Sequence, residues 1–265
     1  MPGLYNFMYA RYGLAAERGR DYCREILFWW SIMKQMGRYI LILVAVMVLW
    51  NSVVIKPLKI FTVFLHELGH AAMAAIFGYG IDGIKIFLNE SGYTLAKSKG
   101  WFSDFMIASG GYLGSIAFAL LILYLKKTAF KKYLLGTIAI IFLVVSIRFA
   151  GLISFTLLYS VFFAVAVLFL YMLQNEKLND WIIDIIGISS VAYAIYDTFV
   201  DTILLQINLR LHLINGWGGK QPMTDAVRLE QLTHIPSVIW GIIWLCIALF
   251  AVYSLLLKSQ SKARR

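Results

Sequence analysis

Charge is scarce in this 265-residue chain, where Asp, Glu, Lys and Arg together make up only 14%. Soluble domains carry about 25%, so an ordinary water-soluble fold is excluded. Acidic residues are the scarcer kind, 14 against 24 Lys and Arg, which leaves a net charge of +10. Cysteine is nearly absent. Cys23 and Cys246 stand far apart, which excludes a disulfide framework and a Cys-x-x-Cys metal site. Proline occurs only four times, and one of these, Pro57, breaks the chain between two apolar segments. The first 25 residues lack a compact charged start followed by an apolar core, and instead mix Arg11, Glu17, Arg18, Arg20 and Asp21. No cleavable signal peptide is expected from such a start.

What the chain does have is hydrophobicity, at 61% of residues, together with 8 Trp and 15 Tyr. Many of these aromatics stand near the ends of apolar runs, as at membrane interfaces. The composition is that of a polytopic membrane protein. Its positive charges cluster beside apolar runs, so the expected partner is the lipid bilayer with its anionic headgroups, and no nucleic acid. Three regions follow: a basic amphipathic N-terminal segment over 1–38, a membrane-embedded domain over 39–257 and a basic tail over 258–265. Seven apolar segments are expected within the domain, over 39–55, 58–77, 101–125, 133–150, 153–173, 181–205 and 236–257. Between the second and third, Ile84–Leu88 and Tyr93–Ala96 flank Asn89-Glu90-Ser91-Gly92, a hairpin pattern. The N-terminal region, the Lys126–Lys132 loop and the tail should all face the cytoplasm. That requires one of the first three segments to enter without crossing, and the 58–77 segment is the natural one. The 207–235 loop then lies outside. The location expected is the plasma membrane, as a multi-pass protein.

The second apolar segment contains His66, Glu67 and His70. Ionisable groups inside a membrane span are functional by default. At 3.6 residues per turn, positions 66 and 70 share one helix face and can offer two imidazole nitrogens to one metal ion. Glu67 lies beside the first of them, placed to act as general base on an attacking water. His-Glu-x-x-His is thus a zinc signature with a mechanical basis, and Zn2+ is the expected cofactor. Gly69 and the run Ala71, Ala72, Ala74, Ala75 suit close helix packing. The fold class expected is an all-α polytopic membrane protein, with about six to seven membrane helices and a small β-hairpin after the zinc-motif helix.

Catalytic zinc has three protein ligands and one open position, so a third ligand must come from elsewhere. The remaining histidines, His212 and His234, lie in or beside the long polar loop. Carboxylates inside apolar runs are better candidates. Asp197 and Asp201, at i and i+4, share a face; one can ligate while the other orients a histidine, or the pair can make a polar contact, for instance with Arg148. Asp184 reads as an interfacial charge and Asp82 as part of the hairpin start.

Pro57, the His66–His70 motif, the glycine-ended helix, the hairpin with Ser91-Gly92 and the Gly110-Gly111-Tyr112-Leu113-Gly114 segment follow one another in that order. Tyr196-Asp197, Thr224-Asp225-Ala226, Trp240-Gly241 and Trp244 come later. Together they resemble the site-2 protease class of membrane-embedded zinc metallopeptidases, in its B-like branch, over most of the chain. The resemblance implies zinc on His66 and His70, Glu67 as catalytic base, and a third ligand among late aspartates. Asp197 matches best, then Asp201, with Asp225 as the outside alternative because Thr-Asp-Ala recurs in that branch. The Asn-x-x-Pro and Leu-Asp-Gly signatures of the main branch are absent at the expected place. The implied activity is a zinc metalloendopeptidase acting on membrane-protein or peptide substrates. Its rivals are a non-proteolytic membrane metal-binding or transport protein and an inactive scaffold.

Overall fold

The computed structural model describes Trp30, residues 33–211 and residues 223–262. The expectations for most of the basic N-terminal segment (Cys23 included), for His212 and for Arg264 and Arg265 lie outside the described residues. Among the described residues two compact units are distinguished, one of those up to 41 together with those from 256 onward and one of those between 42 and 255. In the smaller, Gln35 Nε2 donates to the Tyr39 hydroxyl at 2.7 Å, and the Lys34 ammonium lies 5.2 Å above the Trp30 ring.

Helix α1 covers 33–48; the chain then turns through 49–55, so the first apolar segment is helical for only part of the expected 39–55. Helix α2 is Lys56–Phe77, with Pro57 in its first turn, where a missing N–H leaves no hydrogen bond unmade. Strands β1 (Ile81–Ile86) and β2 (Gly92–Ala96) form an antiparallel hairpin, with Ile84 opposite Thr94 and a register irregularity between Ile81 and Gly83. The first strand therefore begins three residues before the expected Ile84, because the irregularity at Gly83 hides the pairing from the sequence pattern. Helices α3 (Trp101–Leu125), α4 (Lys131–Phe149), α5 (Phe155–Met172) and α6 (Glu176–Thr198) follow. A π-helical turn, Phe199–Leu204, joins α6 to α7 (Leu205–Leu211). Helix α8 (Asp225–Thr233) and helix α9 (Ser237–Lys262) complete the order. Among the described residues six helices are long and apolar enough to cross a membrane, as the sequence predicts.

Between membrane helices there is little hydrophobic driving force, so close packing and hydrogen bonds must hold them together. Helices α2 and α3 meet glycine to glycine. A Cβ on Gly69 would fall on the Gly110 carbonyl, and one on Gly114 would fall on the Gly69 backbone. That backbone contact fixes the histidine face of α2 against the middle of α3. On another face of α2, Phe61 and Phe64 pack on Phe142 of α4 and Phe163 of α5, with Phe64 and Phe142 ring centroids 3.9 Å apart.

The hairpin is tied down at its turn end. The Ile86 N–H donates to Thr156 Oγ1 of α5 at 2.9 Å, and Lys59 of α2 pairs with Glu90 at the hairpin tip at 3.2 Å. Asp82 pairs with Lys97 at 2.9 Å, part of the hairpin start as expected. Asp184, read from sequence as an interfacial charge, is instead fully buried where α6 packs on α3, and it pairs with Lys126 at 2.5 Å.

Candidate metal centre

One turn of α2 separates His66 and His70, and their Nε2 atoms lie 3.2 Å apart. Each is 3.1 Å from the same oxygen, Asp225 Oδ2. Among the described residues these three form the group of His, Cys, Asp and Glu whose donor atoms all come within 4.8 Å of one another. The His70 Nδ1 is 2.7 Å from the Ile107 carbonyl. A carbonyl can only accept, so Nδ1 carries the proton and Nε2 presents a lone pair to the centre. The His70 lone pair and the Asp225 carboxylate thus converge with His66 Nε2 on one point, an arrangement that a cation or a proton held between them satisfies.

The donor set suits zinc. Two imidazole nitrogens and a carboxylate oxygen are ordinary zinc ligands, and bonds of about 2.0–2.2 Å in tetrahedral geometry place neighbouring donors roughly 3.3 Å apart. The α3 backbone supplies one wall of the cradle, since a Cβ on Gly111 would fall on the His66 ring and the Asp225 carboxylate.

Asp225 reaches the histidines because α8 folds back across α3. Thr224 caps the helix, its side chain accepting from the Val227 N–H at 3.4 Å. Ala226 and Leu229 are fully buried against Ala108, Tyr112 and Trp244. Around that apolar contact, Arg228 bonds Asp104 at 2.9 Å and the Trp101 indole donates to the Leu232 carbonyl at 2.8 Å. Glu230 accepts from the Ser237 N–H at 3.0 Å, which joins α8 to the start of α9.

Glu67 faces the hairpin. The Thr94 hydroxyl lies 2.7 Å from Glu67 Oε2 and 3.0 Å from the Glu67 carbonyl. Gly92 sits so close to the Glu67 carboxylate that a Cβ there would come within 2.7 Å of Oε1. Tyr112 presents its ring edge-on to His66, centroids 4.8 Å apart, and its hydroxyl donates to Asp201 Oδ2 at 3.2 Å. All these groups line one cavity of about 490 Å³, shared by His66, Glu67, His70, Asp197, Asp201 and Asp225.

A family model described as Peptidase M50B-like matches residues 39–255. The chain belongs to this family. It is an integral membrane protein of the site-2 protease type, as the motif order pointed to. No curated protein and no solved structure matches it.

Within this M50B-like chain the structure brings His66, His70 and Asp225 together. Asp197, the aspartate ranked first from sequence, lines the cavity without joining that group, as does Asp201, whose carboxylate is engaged by Tyr112. The expected contact partner Arg148 lies instead over the Phe149 ring. His234 ends α8, at the opposite end from Asp225. The ranking of the aspartates rested on a preference for carboxylates inside apolar runs, whereas Asp225 opens a short helix within what the sequence presents as a polar loop. Its signal was the Thr224-Asp225 cap. Sequence reasoning gave no role to Thr94, Gly92 or Gly111; the Ser91-Gly92 and Gly110-Gly111 pairs marked their places.

Proposed function

We propose that this M50B-like protein is a zinc endopeptidase that hydrolyses peptide bonds of membrane-protein substrates within or at the surface of the bilayer. The observation that carries this reading is the convergence of His66 Nε2, His70 Nε2 and Asp225 Oδ2 at 3.1–3.2 Å, in the same cavity as the Glu67 carboxylate. His66, His70 and Asp225 would hold the zinc. When bound, zinc polarises the scissile carbonyl and makes an attacking water more acidic.

The chain's own groups do the rest. Glu67 takes the proton of the attacking water and returns it to the leaving nitrogen, a role general bases fill for about 10²–10⁴ in rate. Thr94 holds the Glu67 carboxylate from the hairpin side, so the base keeps one orientation through the proton transfers. A helical amide is closed off by its own hydrogen bonds, so the substrate must be extended at the cut. Ser91, Gly92, Tyr93 and Thr94 line the cavity, and the β2 edge to which the last three belong suits pairing with an extended substrate segment.

The test is Glu67→Gln in the full-length protein, with zinc measured by elemental mass spectrometry and substrates sought by comparing membrane proteomes of cells carrying the wild-type or the variant chain. Zinc should remain at one equivalent while Glu67-dependent fragments disappear. Zinc retention with no fragment depending on Glu67 would overturn the protease reading and favour a metal-handling role.

A further inference from the structure

Helices α4 and α5 run antiparallel with a groove of about 380 Å³ between them, within the 300–1,000 Å³ range of small-ligand sites. Its lining changes character along its length. Lys132, Tyr133, Tyr171 and Asn179 stand at one end, and Ala139, Ile140, Leu143 and Leu168 continue it as an apolar channel. Gly136 opens the wall near the polar end, because a Cβ there would meet nothing within 4 Å. From Lys132 to Leu143 the α4 axis rises roughly 16 Å at about 1.5 Å per residue. That is close to half of a hydrocarbon core about 30 Å thick, the depth of one leaflet.

The charge at the mouth selects among occupants. Two other lysines of the same loop are already matched, Lys126 with Asp184 and Lys131 with Asp180. Lys132 is exposed, lies 4.7 Å above the Tyr133 ring and, among the described residues, forms no ion pair with a carboxylate. A cation with phenol and amide donors beside it, above an apolar channel one leaflet deep, is complementary to a headgroup phosphate with an acyl chain below. A transmembrane helix from a partner would leave that end of the groove without a counter-charge.

We propose that the α4/α5 groove is a binding site for one anionic phospholipid, its phosphate on Lys132 with Tyr171 and Asn179, its acyl chain along Gly136, Ile140 and Leu143. The site lies apart from the metal centre and is independent of the peptidase reading.

Native mass spectrometry of the full-length protein, equilibrated in detergent with phosphatidylglycerol or phosphatidylcholine of identical acyl chains, tests it. Wild type should retain phosphatidylglycerol about five-fold better, the effect of one lysine beside an anionic lipid. Lys132→Gln should abolish that preference, and Lys99→Gln, at the far end of the fold, should keep it. Gly136→Leu should lose both lipids while keeping the helical circular dichroism of wild type, which shows that it folds. Equal retention of the two lipids by wild type, or a preference that survives Lys132→Gln, overturns the proposal. So does a wild-type dimer that Gly136→Leu dissociates, because a second copy would then fill the groove.

Discussion

The hydroxyl of Thr94 donates to the carboxylate of Glu67 across 2.7 Å, from a β-strand onto the membrane helix that carries both histidines. This bond joins the edge proposed to receive substrate to the group proposed to move the proton. Hydrogen bonds to charged groups contribute about 1.5–3 kcal/mol. Thr94→Val should therefore lower kcat by roughly ten- to a hundred-fold, with KM changed little and zinc content intact. Thr94→Ser keeps the hydroxyl and should recover most of the rate. Steady-state kinetics on a substrate identified from the proteome comparison, with zinc analysis alongside, checks both. A Thr94→Val enzyme with wild-type kcat would show that the bond is structural only.

Asp225 should be the third zinc ligand. Asp225→Ala should leave the purified protein with well under one equivalent of zinc. Asp197→Asn and Asp201→Asn should retain it, because neither residue belongs to the group converging on His66 and His70. Elemental analysis of the three variants side by side decides the matter. Full zinc occupancy in Asp225→Ala would return the assignment to the α6 face.

That contrast marks how far the sequence could be read. His66, Glu67 and His70 were legible because their relation is local, set by the pitch of one helix. The hairpin was legible for the same reason, through β-propensity and a turn, although the irregularity at Gly83 concealed where its first strand began. Asp225 was legible only as the last of three alternatives, because its approach to α2 depends on α8 docking over Ala108 and Tyr112 of α3, a contact between segments far apart in the chain. The burial of Asp184 escaped notice in the same way, since its partner Lys126 ends a different helix. Where a carboxylate meets its partner through tertiary packing, neither hydropathy nor motif order places it: both favoured Asp197 on a membrane helix, whereas the carboxylate that converges on the two histidines is Asp225 in a polar stretch.

Two of the contacts that hold α8 over α3 should differ in weight. The Arg228–Asp104 pair is partly exposed, with the arginine side chain 47% accessible, and exposed pairs contribute about 0–1 kcal/mol. Leu229 is fully buried against Tyr112 and Trp244, and truncating such a leucine costs about 2–5 kcal/mol. Arg228→Gln should therefore change zinc affinity by no more than a few-fold. Leu229→Ala should weaken it by ten-fold or more, because the helix that carries Asp225 loses its seat. Zinc competition titrations with a chromogenic chelator measure both; equal effects would mean that the ion pair, and not the apolar contact, positions the aspartate.

Gly111 should be as necessary to the metal centre as a ligand, although it donates nothing. Its α-carbon faces the His66 ring and the Asp225 carboxylate so closely that any β-carbon would occupy their place. The obstructed atoms belong to two donors whose separation must stay near 3.1 Å to share one ion, so neither can yield without breaking the set. Gly111→Ala should fold, since α3 is apolar on all sides and alanine favours helix by about 1 kcal/mol over glycine, yet it should lose zinc as Asp225→Ala does. Gly136→Ala in α4, where the added methyl meets open space, serves as the control for a glycine-to-alanine change in a membrane helix and should retain zinc in full. Thermal unfolding with and without a chelator separates the two cases. Chelation should lower the Tm of wild type and Gly136→Ala, because a ligand bound only by the folded state stabilises it, and should leave Gly111→Ala unmoved.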